Sequence, residues 1–273
     1  MLQVSRLFIY PIKSLAGIEV VSAKVTDRGF EHDRRWMLVD ANNRFLSQRE
    51  YSQMALIKTA ITEAGIAVYH LQQHDKGIDI PFIPTTGKTG MFTIWDDTCP
   101  GQYVSNEADD WFSETLGTTC RLVYMPDDSQ RFVEEKYRMD DEVTSFSDAY
   151  PFLILGESTL GYLNSKLEVE LPLNRFRPNI VFSGSEAHLE DSMAHIRISG
   201  IDFFGVKLCA RCNIITIDQD TAIQSKEPTR TLATYRAKNN KIYFGQNLLH
   251  KGKGTVHVGD PIEVLATKET VFD

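Results

Sequence analysis

An α+β fold rich in strand is predicted by three features of the sequence. Short runs of β-branched and aromatic residues recur along the chain and are closed by Gly, Pro or Asn. Helical periodicity is confined to three stretches. The strand–helix–strand alternation that builds a parallel sheet is missing.

The elements follow in order. "VSRLFIYPI" reads as a strand stopped by Pro11. "RRWMLVDANNRFLSQRE" reads as two strands joined at Asn42-Asn43, because Asn tolerates the left-handed backbone of tight turns. "KTAITEAGIAVYHL" repeats the pattern around Glu63-Ala64-Gly65, and residues 73–101, rich in Gly, Pro and Thr, read as loop plus a strand or two. "SNEADDWFSETLG" is a helix with Ser105 or Asn106 as cap, acidic residues in the first turn and Gly117 as stop. Residues 126–142 are strongly charged and predict a solvated excursion. "GESTLGYLNSKL" puts Leu160, Leu163 and Leu167 on one helical face, with Ser158 expected as its cap. "HIRISGIDFFGV" turns at Ser199-Gly200, "KEPTRTLATYR" places Pro228 at a first helical position, and "GTVHVGDPIEVLA" turns at Gly259-Asp260-Pro261. Two interlocked parts are expected, residues 1–110 and 111–273, with their seam between 100 and 125.

Of the 273 residues, 42% are hydrophobic and 24% charged, ordinary values for a globular protein with a core. The formal charge of −8 and pI near 5.4 argue against general binding to nucleic acid or anionic membrane, though not against a local basic pocket. No apolar run approaches the roughly 20 residues of a membrane helix. "MLQVSRLFIYPIKSLAG" has no secretory leader pattern, so a cytoplasmic location is expected.

Four cysteines, Cys99, Cys120, Cys209 and Cys212, are too few for a disulfide scaffold. Cys209-Ala210-Arg211-Cys212 could be half a zinc site, but two further ligands at suitable spacing are wanting. A thioredoxin-like redox pair would open a helix, whereas "NIITID" follows here. Two buried thiols on a strand is the plain alternative. Arg211 adds a cation beside them, which favours thiolate and therefore a soft metal or an anionic cofactor. Other cations are scattered: Lys13 with Ser14 in "YPIKS", Arg34 and Arg35 in "HDRRW", Arg175 and Arg177 in "NRFRPNI". Each alone reads as a surface residue; gathered together they would form an anion pocket. Asp148 in "FSDAYPF" is either a proton carrier or a turn cap. The seven histidines show no ligand spacing, "GESTLG" lacks the spacing of a nucleophile elbow, and no phosphate loop or dinucleotide fingerprint occurs.

The strings "YPIKS", "DRRW", "FSDAYPFLIL", "NRFRPNIVFSG", "CARC", "KEP…L…YR", "FGQN" and "VGDPIEVL" run in this order over nearly the whole chain. Together they resemble the MOSC superfamily with its own N-terminal β-barrel domain, in the group of the mitochondrial amidoxime reducing component and its bacterial counterparts. The resemblance implies a MOSC-type β-barrel packed with an N-terminal β-barrel-like domain. It also implies the molybdenum cofactor, a pterin dithiolene with a terminal phosphate, ligated through Cys212. Lys13, Ser14, Arg34, Arg177, Asn179, Arg211 and Asn247 match cofactor-contacting positions, and Asp148 matches an acidic residue near the metal.

The implied activity is removal of oxygen from amidoximes, hydroxylamines and N-hydroxylated bases, with Cys212 and Asp148 as catalytic residues. Departures from the family pattern are Ala210 where Ser is frequent and Met193 where Trp is expected. No ferredoxin-type cysteine cluster follows "VLATKETVFD", so electrons are expected from a separate flavin reductase, ferredoxin-like or cytochrome b5-like protein. Two rival readings stand beside this one. A sulfur or cofactor carrier would hold a persulfide on Cys212, and a thiol oxidoreductase would need both Cys209 and Cys212.

Overall fold

The two longest strands, Ile201–Ala210 and Lys241–Lys251, pair antiparallel and form the spine of the largest sheet. The computed structural model describes residues 1–272, less the side chains of His74 and Asp75; Asp273, the last residue of the expected second part, lies outside the described residues. From the spine the sheet extends through Met193–Ile198 to Ile262–Thr267 on one side. On the other it runs through Phe152–Gly156, Ile180–Ser183 and Gln3–Ile9 to Ile18–Val20. Phe152–Gly156 and Ile180–Ser183 are parallel, and the helix Glu157–Asn164 lies in the connection between them. One face buries Leu7, Phe152, Ile154, Phe182, Ile196, Phe203 and Leu248 in a common core.

The first strand therefore belongs to a sheet built mostly from the last half of the chain. It ends at Ile9, ahead of Pro11, and the backbone then crosses to a second sheet, where Lys13 N donates to Trp36 O at 2.8 Å. That sheet has the order Trp36–Val39, Arg121–Tyr124, Asp97–Tyr103, Thr89–Ile94. Beside it stands the meander Ile57–Ile61, Gly65–His70, Gln73–Pro81, which contains the turn expected at residues 63–65.

The helix Asn106–Leu116 has the predicted ends: Ser105 Oγ accepts from Ala108 N at 3.0 Å, and Gly117 adopts φ 64°. Its Ala108, Phe112 and Leu116, four residues apart, join Trp36, Leu38, Ile57, Ile66 and Leu122 in one core. The expected boundary at residue 110 falls inside this helix. The helix and the strand Arg121–Tyr124 bury their apolar faces with the N-terminal part, and Met125 and Phe146 join Met37, Val39, Phe45 and Phe92 in a neighbouring core.

Other expectations are corrected locally. Ser158 does not cap the helix Glu157–Asn164; its Oγ donates to Glu186 O, and the N-cap is Gly156. Pro228 is the residue before the helix Thr229–Ala233, not its first. The turn at Gly259–Pro261 does not close a hairpin: Gly254–His257 pairs with Ser22–Thr26, while Ile262–Thr267 pairs with Met193–Ile198. Residues 126–142 are mostly exposed, yet Arg131 is buried.

Ser105→Ala removes a single accepted hydrogen bond at a helix end. It is expected to lower the unfolding free energy by about 1 kcal/mol in a urea titration, with the circular dichroism of the native protein unchanged.

Candidate active site

Where the two parts meet, a cleft holds about 810 Å³ of empty space counted out to its mouth. Lys13, Ser14, Arg34, Asp148, Arg177, Asn179, Arg211, Cys212 and Asn247 all line it. They come from six separate segments, brought together because the crossing at residues 10–14 lies against the loops that leave the large sheet.

Local backbone aims several of them. The strand Ile201–Ala210 ends just before Arg211, whose N–H still donates to Ile242 O at 2.8 Å; Cys212 then caps the short 3-10 helix Asn213–Thr216. Ser14, Arg34, Trp95 and Arg177 line the cleft with left-handed backbones, at φ 67°, 51°, 57° and 55°. Each such non-glycine residue costs of order 1–3 kcal/mol and persists only where its surroundings over-determine it. Here the surroundings are hydrogen bonds. Arg34 N donates to Tyr10 O at 2.8 Å, and the Arg177 guanidinium donates to Leu15 O at 2.7 Å.

Two guanidiniums, Arg34 and Arg177, each lie 4.4 Å from the ring centre of Tyr10. Arg34 donates to the buried Asp33 carboxylate at 2.5 Å and to Asn179 Oδ1 at 3.2 Å. Burial raises the Asp33 carboxyl above its ordinary range, against the pull of Arg34. Burial likewise lowers Arg177 to about 10, with the neighbouring Arg34 charge adding to it. Asn179 is nearly inaccessible: Nδ2 donates to Phe8 O at 3.2 Å, and Oδ1 also accepts from Leu153 N at 3.3 Å. Its amide thus ties two strands together and positions Arg34. Asn247 sits on the spine opposite Leu153 and Lys207, half-buried at the cleft wall.

Arg211 donates to Cys209 Sγ at 3.1 Å and to Phe176 O at 2.7 Å, and its Nε is buried with no partner. The cation therefore sits on the first cysteine of the pair. Burial raises the Cys209 thiol, with Arg211 opposing it. Cys212 is half-buried and faces the cleft with no hydrogen bond to its sulfur among the described residues. No three His, Cys, Asp or Glu side chains among those residues gather as a metal site, so the zinc reading of the pair lacks its further ligands. Cys99 and Cys120 are buried elsewhere, and burial pushes both thiols up to about 11.

Lys13 Nζ bonds Asp148 Oδ1 at 2.6 Å. The partners are unequally placed: the Lys13 side chain is 6% exposed, whereas that of Asp148 is 63% exposed toward the cleft. Burial lowers Lys13 to about 8, and the Asp148 charge only partly offsets it. Although the Asp148 side chain opens to the cleft, the protein crowded around it desolvates it and acts upward; the Lys13 charge and hydrogen bond, with Trp95 and Arg34 adding to them, outweigh this and hold the carboxyl well below its usual range. Asp148 Oδ1 thus accepts from Lys13 Nζ at 2.6 Å and from the Trp95 indole at 3.3 Å.

Several residues of the site carried no signal in the sequence. Arg131 lies in the charged stretch read as solvated. It donates to the carbonyls of Ser145, Ser147 and Asp148 and pairs with Asp97 at 2.7 Å, fixing the loop that presents Asp148. Ser47, Arg49, Phe45 and Trp95 also line the cleft, from the N-terminal part. The Ser-x-Arg spacing of "LSQRE" was the available clue, although alternation on a strand end is common.

The class of protein follows from these findings. Residues 1–119 match the MOSC N-terminal beta barrel domain and residues 141–263 the MOSC domain; the chain belongs to the MOSC-domain family, in the group that includes the mitochondrial amidoxime-reducing components. It is 32% identical over 281 residues to mitochondrial amidoxime-reducing component 1 of Mus musculus, covering 96% of this chain and 82% of that one. The Homo sapiens protein of the same name is 31% identical with the same coverage. Molybdenum cofactor sulfurase of Danio rerio is 28% identical over 90% of this chain, which spans 32% of that longer protein. Among solved structures, the YUAD protein from Bacillus subtilis aligns over 96% of this chain and 94% of its own, with a TM-score of 0.45 and 12% identity. No helix among the described residues is long and apolar enough to cross a membrane.

Because Lys13 has a folded value near 8 against an ordinary 10.5, the unfolded chain binds the proton more tightly, and its charged form costs stability below pH 8. Stability relative to Lys13→Met should therefore rise as pH climbs from 8 to 10.5. Denaturant titrations of both proteins across that range check the sign.

Proposed function

We propose that the chain is a molybdenum-cofactor-dependent reductase of N-hydroxylated compounds such as amidoximes, hydroxylamines and N-hydroxylated bases. One observation carries the reading: a free thiol, Cys212, opens into a cleft whose wall holds two guanidiniums, Arg177 and Arg211, without carboxylate partners among the described residues. The donor set fits a pterin dithiolene cofactor. A thiolate suits a soft redox metal, and the buried unpartnered Arg211 Nε awaits an acceptor that an anionic tail would supply. The relatives' names, amidoxime-reducing component and molybdenum cofactor sulfurase, point the same way.

In this reading Cys212 would hold the metal, and Arg34, Arg177, Arg211 and Ser14 would bind the anionic part of the cofactor. Cys209, with Arg211 on its sulfur, shapes the pocket and ligates nothing. When bound, the cofactor supplies the two electrons that cleave the N–O bond. Net reduction of a hydroxylamine to an amine and water also takes two protons. Lys13 Nζ, poised near 8, holds a proton beside Asp148 Oδ1, and the ionised Asp148 orients the N–OH group or a water by accepting from it. Arg131 positions Asp148 through the carbonyls it binds. The electrons come from a separate donor protein: a flavin reductase, a ferredoxin-like protein or a cytochrome b5-like protein.

The sulfur-carrier reading draws on the similarity to molybdenum cofactor sulfurase. Protein made in a cofactor-competent host separates the two, since a reductase carries stoichiometric molybdenum and pterin and a carrier shows labile sulfane sulfur. Cys212→Ala is expected to lose both molybdenum and benzamidoxime reduction while its far-ultraviolet circular dichroism is retained. Cys209→Ala should keep turnover, which a dithiol mechanism could not. Turnover by Cys212→Ala would refute the assignment.

A further inference from the structure

The cations of the cleft fall into two groups. Arg34 and Arg177 flank Tyr10, and Arg211 lies 5.9 Å from the Phe176 ring, on the side of the large sheet. Arg49 stands apart, 3.9 Å over the Trp95 ring and 5.9 Å from that of Phe45. No hydrogen bond or ring contact among the described residues joins it to the first group. The Lys13–Asp148 pair borders the second group: Lys13 is 5.2 Å from the Phe45 ring, and the Trp95 indole donates to Asp148 Oδ1 at 3.3 Å.

Arg49 is half-buried, has no carboxylate partner among the described residues, and its Nε is buried with no hydrogen bond. The neighbouring Glu50 carboxylate is taken by Arg44 at 2.8 Å. Two residues back, Ser47 is 2% exposed, lines the cleft, and its Oγ also has no partner. Gln48 between them fixes the segment: its Nε2 donates to Ser14 O at 2.7 Å, and its Oε1 accepts from Gln219 at 3.0 Å. A buried hydroxyl and a guanidinium N–H, both unsatisfied and both in a rigid cleft wall, are what an oxyanion would complete.

We propose that Ser47 and Arg49 form an oxyanion subsite for the substrate, distinct from the cofactor cradle. Trp95 offers a flat face beside it. The inference rests on the reductase reading and sharpens its substrate class. The preferred substrates are flat N-hydroxylated compounds that carry a carboxylate or a phosphate, with the N–OH end directed past Asp148 toward Cys212.

The test uses the cofactor-loaded full chain with benzamidoxime, 4-carboxybenzamidoxime and 4-phosphonobenzamidoxime. In Arg49→Gln the kcat/KM of the anionic substrates relative to benzamidoxime should fall about tenfold or more, mainly through KM, and Arg49→Lys should recover part of it. Whichever anionic substrate loses more identifies the oxyanion. An unchanged ratio overturns the proposal, as does loss of molybdenum and pterin from Arg49→Gln, which would place Arg49 in the cofactor cradle. Equilibrium titration followed by tryptophan fluorescence is independent of turnover. Tighter binding of 4-carboxybenzamidoxime than of benzamidoxime in wild type, abolished in Arg49→Gln, supports the subsite even if no reduction occurs, a result that would sink the reductase reading alone. Equal or absent binding of the two ligands in wild type sinks the subsite.

Discussion

The buried carboxylate of Asp33 is the contact on which the cleft depends. It is 1% exposed, accepts from Tyr10 N at 2.8 Å, and takes the Arg34 guanidinium at 2.5 Å. Tyr10 lies at the crossing between the sheets, and Arg34 reaches on to Asn179, which bonds the strands on either side of it. The ion pair is between neighbours in one loop; what ties that loop to the large sheet is the Arg34 guanidinium it holds, which donates to Asn179 Oδ1 at 3.2 Å and to Arg177 O at 3.4 Å. Such a pair is weak evidence for stability, because desolvation consumes most of the Coulomb attraction. Removing one partner is another matter, costing about 3–5 kcal/mol. What the pair supplies here is a fixed Arg34, and the hydrogen bonds from Tyr10 N to Asp33 and from Arg34 to Asn179 set the register between two parts that have separate cores.

That register explains how a protein of net charge −8 presents a cationic cleft. The positive side chains are dispersed through the sequence, and each meets the cleft because strands from opposite ends of the chain are neighbours in one sheet. Packing them together is unfavourable, and Lys13 and Arg177 both record this by falling below their ordinary values, chiefly through burial. Left-handed backbones at Ser14, Arg34 and Arg177 add to the cost. An anion bound there, as in the proposed function, would offset that cost. The N-terminal part adds a wall of different character, with Trp95 and Phe45 beside Arg49, so the two halves of the cleft offer two chemistries.

Much of the fold was legible in local pattern. The helix Asn106–Leu116 has its capping serine, terminal glycine and apolar spacing in plain view, and the turns at 63–65 and 199–200 lie where small or flexible residues put them. The readings that failed required knowledge of partners. Gly259–Pro261 has the sequence of a hairpin turn, yet the strands on either side enter different sheets. Arg131 sits among acidic residues that do face solvent, and only the loop of Asp148 folding over it accounts for its burial.

For the site, the sequence by itself determined which residue types were available and in what order, and the order of its short motifs was enough to mark the family. Tertiary structure alone decided that the six motif segments face one cleft, that Arg211 serves Cys209, that Asp148 is an acceptor paired with Lys13, and that Arg49 has no carboxylate partner among the described residues. The reason is physical. Residue chemistry is local, but burial, ion pairing and the shifts they impose depend on which distant segments pack together, and no local pattern encodes that.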